Sequence, residues 1–218
     1  SLTNKVDEME GNPGRYAPED VQKYLDQSDP LNFPNTDWQS LVLKKFAPQN
    51  RHNLSVSGGN KQTQYYASMG YLNQGTLYVN NTNWLKRYNY RVSVSSEFEK
   101  IGLKTTVALY GTTESQRNPN SSYGSGYYYV WGHIQNSSPM EKAFADLERT
   151  RFSNKGDHPL VEVSPESGYA RNEDRDINGN VVLNWAVPGV KGLSFKGNAN
   201  FRQFNSSSRS WNATAPQY

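Results

Sequence analysis

The sequence predicts an all-β chain: an antiparallel, up-and-down transmembrane β-barrel segment that is open and incomplete, with short helices before the first strand. Two observations support this prediction. Six segments alternate apolar or aromatic side chains with small or polar ones, and the connections between them alternate between short and long. Because successive side chains in a strand point to opposite sides, each segment has one apolar and one polar side. This combination is typical of a barrel wall between lipid and water.

The alternation is regular enough to assign the two faces of each strand. In the third segment the even positions from Tyr88 to Val94 are apolar or aromatic, whereas the odd positions from Arg87 to Ser93 are polar. We expect the apolar faces to meet lipid and the polar faces to line a lumen. The residues expected to face the lumen are Arg87, Asn89, Arg91 and Lys104. The expected strands lie near 52–59, 63–73, 86–97, 103–113, 180–187 and 193–204.

The connections indicate which end of the strands lies on which side of a membrane. Turn-forming residues at 58–62, 99–102 and 188–192 predict three tight turns. The links at about 75–84 and about 115–179 are longer. Transmembrane barrels have short periplasmic turns and long extracellular loops, so we expect the tight turns in the periplasm. The link at about 115–179 is then a long external loop.

Two regions follow from this arrangement. Residues 1–50 form an extracellular-loop-like region with two short helices, and residues 51–218 form the partial barrel. Pro18, followed by two acidic residues, suits the start of the first helix, and Thr36 or Asp37 suits the N-cap of the second. The chain begins without Met and stops soon after a strand, so both ends are expected to continue in a longer protein.

Composition argues against several other classes of protein. Only 34% of the 218 residues are hydrophobic and the mean hydropathy is -0.88; no run of about 18 apolar residues exists, which argues against a helical membrane protein. The net charge of +3 is spread without a cluster, so no nucleic-acid partner is expected. With no cysteine and histidines only at 52, 133 and 158, no metal site and no cofactor are expected. No catalytic constellation is present, so no enzyme is expected.

Four segments in the first half of the chain carry a family resemblance: 33–39 (FPNTDWQ), 52–59 (HNLSVSGG), 65–72 (YYASMGYL) and 87–91 (RYNYR). In their order and spacing they resemble the SusC/RagA family of TonB-dependent outer-membrane transporters. Segments at 167–169, 179–185 and 188–197 resemble the same family, so the similarity spans nearly the whole chain. The plug domain, the TonB box and most barrel strands of that family are absent. The chain therefore resembles an early barrel segment.

The resemblance implies a location and partners. It implies a multi-pass barrel in the cell outer membrane, in contact with lipid, that imports glycans or peptides. It also implies a SusD-like surface lipoprotein as a lid, and coupling to the TonB complex through the missing plug region. The expected lumen cations would then line the translocation path or pair with the plug, and the plug is the favoured alternative.

Aromatic residues in the expected external loop are the candidate ligand contacts. They are Tyr123, Tyr127, Tyr128, Tyr129 and Trp131. Flat rings suit the faces of sugars or apolar side chains, and glycines at 124, 126 and 132 are expected to let the loop move. The same run also fits a further strand or simple packing of the loop. Downstream, residues 174–179 begin like a calcium loop but lack the final bidentate Glu, and Asn178 with Gly179 is expected to form an ordinary turn.

A second functional hypothesis is a soluble β-rich carbohydrate-binding module. Its strands would bury the Tyr and Val faces against a second sheet. Basic residues would then be scattered over the exposed surface. The recurrence of Arg87, Asn89, Arg91 and Lys104 on one side favours the lumen of a transporter.

Overall fold

The computed structural model describes residues 2–121, 124–125, 127–213 and 215–218. Its α-helices are α1 (Leu2–Met9), α2 (Pro18–Asp26), α3 (Trp38–Val42), α4 (Tyr127–Asn136) and α5 (Pro159–Glu162). Its strands are β1 (Gln49–Gly59), β2 (Thr63–Gly75), β3 (Trp84–Phe98), β4 (Leu103–Asn118), β5 (Asn120–Ser121), β6 (Gly124–Ser125), β7 (Gly168–Ala186) and β8 (Ser194–Asn212). Short 3₁₀ turns lie at Val79–Asn81, Glu99–Ile101 and Pro165–Ser167.

Six long strands form one sheet in the order β1-β2-β3-β4-β7-β8, and every neighbouring pair is antiparallel. Strands β5 and β6 form a separate small ribbon. Among the described residues, β1 and β8 each pair on one side only, so the sheet is open. The prediction of an up-and-down antiparallel sheet that does not close is therefore confirmed.

The register aligns the apolar positions of all six strands on one face. Val92 lies opposite Ala67 on β2 and Leu109 on β4, and Val107 lies opposite Val181 on β7, which in turn lies opposite Ala199 on β8. Cross-strand partners point to the same side of a sheet, so these residues form one continuous surface, which we call the apolar face. The intervening positions form the opposite surface, which we call the polar face.

The three predicted tight turns join neighbouring strands at one end of the sheet. The first of them is fixed by the Asn60 side chain, which accepts hydrogen bonds from the backbone of Gln62 and Thr63 at 2.9 and 2.8 Å. An Asn side chain that bonds the backbone two residues on is a common turn device. The other end of the sheet carries the longer links at 76–83 and 119–167.

Strands β7 and β8 are longer than predicted. β7 begins at Gly168 rather than near 180, and β8 ends at Asn212 rather than near 204. The expected turn at Asn178 and Gly179 is wrong, because both residues lie inside β7 and pair with β4 and β8. In this part of the strand both faces are polar, so the alternation that reveals a strand in the sequence is absent. Ladder pairing on both sides holds the segment extended instead.

A small core packs at the end of the sheet that carries the long links. We call this region the outer cap; it combines α3, the β2–β3 link and the β4–β7 link. Its buried residues are Trp38, Val42, Tyr78, Val130, Ile134, Ala143, Leu160 and Val163. The Trp38 indole donates a hydrogen bond to the Ser138 carbonyl at 2.9 Å, which joins α3 to the β4–β7 link.

Both helices predicted before the first strand are present. α2 starts at Pro18, and Asp37 caps α3 by accepting a hydrogen bond from the Ser40 backbone at 3.0 Å. α1 was not predicted, and two hydrogen bonds between Asn4 and the Tyr16 backbone hold it to the following loop. None of the helices in the described ranges is long and apolar enough to cross a membrane.

Candidate functional site

The four residues predicted to line a lumen all lie on the polar face. Arg87, Asn89 and Arg91 alternate along β3, and Lys104 on β4 lies opposite Glu97 of β3. The Arg87 guanidinium bonds the Glu114 carboxylate on β4 at 2.5–2.6 Å, whereas Lys104 Nζ lies 3.9 Å from Glu97 Oε2. Within the described chain Arg91 has no ion pair and lies over the Tyr110 ring at 5.7 Å. The register alone therefore brings these four side chains to one surface.

Further polar pairs extend this surface across β7 and β8. Asp176 on β7 accepts two hydrogen bonds from the Arg202 guanidinium on β8, at 3.1 and 2.9 Å. Next to it, Asp174 accepts a hydrogen bond from the Ser206 hydroxyl at 2.6 Å. Residues 174–179 are thus fixed in a β-ladder and do not form the loop that calcium coordination by this motif requires.

The apolar face is exposed over all six strands. Leu54 is 74% exposed, Met69 60% and Phe201 58%. Their exposure means that no described helix or second sheet covers this face. Soluble monomers rarely expose an apolar surface of this extent, so we expect a partner or lipid to cover the apolar face.

Aromatic residues mark both edges of this apolar surface. At the end with the tight turns, Trp185 and Phe195 stack at 5.8 Å, and the Trp185 indole donates to the Ile101 carbonyl at 2.9 Å. At the other edge, Tyr71 and Tyr88 lie side by side at 4.9 Å. Rings with one apolar side and one polar group suit the boundary between lipid and water.

Four of the five aromatic residues predicted to contact a ligand lie in the helix α4, not in a loop or a strand. Tyr128 is 85% exposed, and Tyr129 and Trp131 are about half exposed, whereas Val130 is buried in the outer cap. Of the three glycines expected to let this segment move, Gly132 lies within the helix and Gly126 lies outside the described residues. Tyr127 starts the helix, and Tyr123 lies outside the described residues.

Trp131 lines a pocket of about 390 Å³ above the polar face. Leu85 on β3 lines this pocket and pairs with Gln74 and Gln116 on the neighbouring strands. Because Leu85 lies two residues from Arg87, it points to the same side of the sheet, so the pocket opens on the polar face. The remaining lining residues are Leu43, Ala47, Gln74, Gly75, Thr76, Leu77, Tyr78 and Gln116. None of the lining residues is charged, and the buried Thr76 hydroxyl has no hydrogen-bond partner within the described chain. The pocket therefore suits an uncharged group that carries polar atoms.

Sequence reasoning missed a charged cluster in the outer cap. Nδ1 of His133 on α4 lies 2.8 and 2.9 Å from the two carboxylate oxygens of Glu162 on α5, and its Nε2 lies 4.0 Å from Asp157. The contact between His133 and Glu162 joins α4 to α5. The widely separated positions along the chain gave no spacing signal for it.

No family model matches the sequence. The chain is 29% identical over 98 residues to the TonB-dependent receptor P26 of Formosa agariphila, a match that covers 45% of this chain and 10% of the receptor. The chain thus spans a small part of the length of this relative.

Two solved structures share the fold. One is the RagAB peptide transporter, with a TM-score of 0.57 and 20% identity over 91% of this chain and 24% of the other. A second is the RagAB peptide importer in the closed-closed state, with a TM-score of 0.63 and 21% identity over 96% and 25% of the two chains. The predicted resemblance to a SusC/RagA-like TonB-dependent transporter is confirmed by the receptor in sequence and by these structures in fold.

Proposed function

We propose that this chain is an early barrel segment of a TonB-dependent transporter in the outer membrane, which imports glycans or peptides together with a SusD-like lipoprotein. The observation that carries the proposal is the exposed apolar face with its aromatic edges. The similarity to a TonB-dependent receptor and to RagAB supports the same function. We assign no catalytic residue, because the matched proteins are a receptor and transporters by name.

The height of the apolar surface fits a bilayer. On β3 it extends from Phe98 to Tyr88, ten residues apart, which corresponds to about 33 Å along the strand. At a strand tilt of about 40° this distance spans about 25 Å, the height of the apolar band of outer-membrane barrels. Lipid is therefore the partner that best accounts for this face.

The opposite surface fits a wet or plug-filled lumen. Arg87 and Lys104 already have carboxylate neighbours within the sheet, so neither needs an external counter-ion. Arg91 has none among the described residues, and we propose it as the side chain that meets a plug or the cargo path. A SusD-like lipoprotein would lie over the outer cap, and the TonB complex would act through the plug.

The alternative, a soluble carbohydrate-binding module, requires a second layer over the apolar face. The described residues place their remaining core in the outer cap, away from Val92 and its neighbours. This arrangement favours the transporter.

Substitution of adjacent residues on β3 tests the proposal in the complete protein. Val92→Arg places a cation on the lipid side near mid-membrane, where it costs about 2–4 kcal/mol, so the amount of assembled protein in the outer-membrane fraction should fall. Ser93→Arg, one residue along, points to the polar side and should assemble normally. Equal assembly of the two variants would show that the faces are assigned wrongly.

A further inference from the structure

Three arginines lie side by side on adjacent strands, just beyond the apolar face. Arg117 on β4 pairs with Arg171 on β7, which pairs with Arg209 on β8, and Trp84 on β3 completes the same row. Cross-strand neighbours are about 5 Å apart and point to the same side. The row lies on the same side of the sheet as the apolar face, because Trp84 alternates along β3 with Tyr88. We call these three residues the arginine row.

The protein does not neutralise this row. Like charges directly opposite one another destabilise a sheet, yet only Arg171 has a carboxylate partner, Glu173 at 2.5 Å. Arg209 has no ion pair among the described residues, and the buried Nε of Arg117 has no hydrogen-bond partner there.

Neighbouring residues on this side add further positive charge. Towards the apolar face, the next row contains Lys86 and the row after it contains Arg175. Glu173 is the only carboxylate in these three rows on this side of the sheet. Five cations thus face outward against one carboxylate. An excess of this kind attracts anions.

Aromatic rings hold the cations in place. The Arg117 guanidinium lies 4.5 Å from the centre of the Tyr169 ring, and Lys86 Nζ lies 4.8 Å from that of Trp84. Such contacts favour a fixed position for the charge without neutralising it. The cationic groups are therefore positioned but still available to an anion.

The position along the strands identifies the source of that anion. Arg175 lies level with Tyr88, at the edge of the apolar band. The row of Lys86 and the arginine row lie two and four residues beyond Tyr88, about 5–10 Å above that edge at the tilt used above. Polar headgroups occupy this level of a bilayer. Cargo is not favoured, because it would pass on the other side of the sheet.

We propose that the arginine row binds the phosphate groups of anionic lipid headgroups in the outer leaflet. This inference rests on the proposed function, which makes the apolar face lipid-facing. One guanidinium group can donate two parallel hydrogen bonds to the oxygens of a phosphate. Three guanidinium groups side by side on neighbouring strands can therefore bind one or two phosphates. The lipid would then fix the height of this part of the barrel in the membrane.

Native mass spectrometry of the complete, detergent-purified protein tests this inference, with diphosphorylated lipid A as the probe. The test variant is Arg117→Gln, Arg171→Gln and Arg209→Gln together; the control variant is Arg87→Gln, Arg91→Gln and Arg202→Gln, which removes the same charge from the polar face. The affinity of the first triple variant for lipid A should be lower than that of the unmodified protein by at least about tenfold. The control variant should retain it normally.

Two further measurements separate the possible outcomes. Lipid A stripped of its phosphates should be retained poorly by the unmodified protein, whereas inorganic phosphate at the same concentration should not displace intact lipid A. Equal loss in both triple variants, or no loss in either, overturns the inference. If the first triple variant inserts correctly into the outer membrane and retains lipid A as the unmodified protein does, only the inference about the arginine row is overturned. If the unmodified protein is absent from the outer membrane, the proposed function is overturned.

Discussion

At the scale of single residues, alternation along a strand decides on which side of the sheet a side chain lies, whereas packing between elements decides which residue it contacts. The positions of Arg87 and Lys104 follow from alternation, which any strand imposes on its side chains. The contact between His133 and Glu162 depends instead on how two helices of the outer cap pack together. Local patterns contain no information on such a contact, since residues 134–161 lie between the two partners.

Gly102 is a residue whose identity the backbone dictates. It ends the 3₁₀ turn between β3 and β4 with a φ of +65°, and a Cβ built there would lie 2.2 Å from the Ala186 carbonyl oxygen. Gly102→Ala should therefore cost more than the roughly 1–2 kcal/mol of a left-handed backbone alone. Gly189→Ala is the matched control, because its φ is +82° but its Cβ would meet nothing within 4 Å. Urea unfolding of the complete protein should show the larger loss for Gly102→Ala; an equal loss would contradict the close approach.

At the scale of elements, the prediction succeeded where one face is apolar and failed where both are polar. The four strands from β1 to β4 lie close to their predicted ranges, because apolar and polar positions alternate there. The first half of β7 lacks this contrast, so the sequence predicts a loop there. α4 was missed for a different reason: its buried Val130 and Ile134 are four residues apart, but neighbouring aromatic rings obscure that spacing.

His158 makes the outer cap sensitive to acid. Its ring is buried, accepts a hydrogen bond from the Val161 backbone and bonds the Ala143 carbonyl at 2.8 Å. Burial lowers the pKa of His158 below its ordinary 6.5. Between those two pKa values the unfolded cap binds more protons than the folded cap, so its stability is full above pH 6.5 and falls as pH decreases.

Hydrogen exchange of the α5 amides in the complete protein tests this effect. Protection should decrease from pH 7.5 to pH 5 in the unmodified protein, after correction for the intrinsic exchange rate. In His158→Gln, which keeps a neutral donor for the Ala143 carbonyl, that decrease should become smaller, because only the contribution of His158 is removed. Asp146 does not confound the comparison, because hydrogen bonds led by that from the Thr150 hydroxyl lower its pKa to about 2. An unchanged pH dependence in the variant would rule out His158 as the source.

At the scale of the whole molecule, the fold places three surfaces in a fixed relation. The apolar face and the polar face lie on opposite sides of one sheet, and the outer cap lies at one end. The pocket beside Trp131 lies between the outer cap and the polar face, where material that enters a lumen from outside would pass. The sequence predicts aromatic residues in the long external loop, but only the fold places Trp131 and Leu85 on the same pocket.

Cargo uptake should therefore depend on Trp131 more than on the other aromatics of α4. Trp131 is 47% exposed and lines the pocket, whereas Tyr128 is 85% exposed and does not line it. Trp131→Ala in the complete transporter should remove about 1–2 kcal/mol of cargo binding, or about five- to thirtyfold in apparent affinity. Tyr128→Ala, the matched control, should have a smaller effect. Uptake of labelled peptides and labelled oligosaccharides, measured with both variants present at equal levels in the outer membrane, shows which class of cargo uses the pocket; no loss with either class in Trp131→Ala means that this ring only packs the cap.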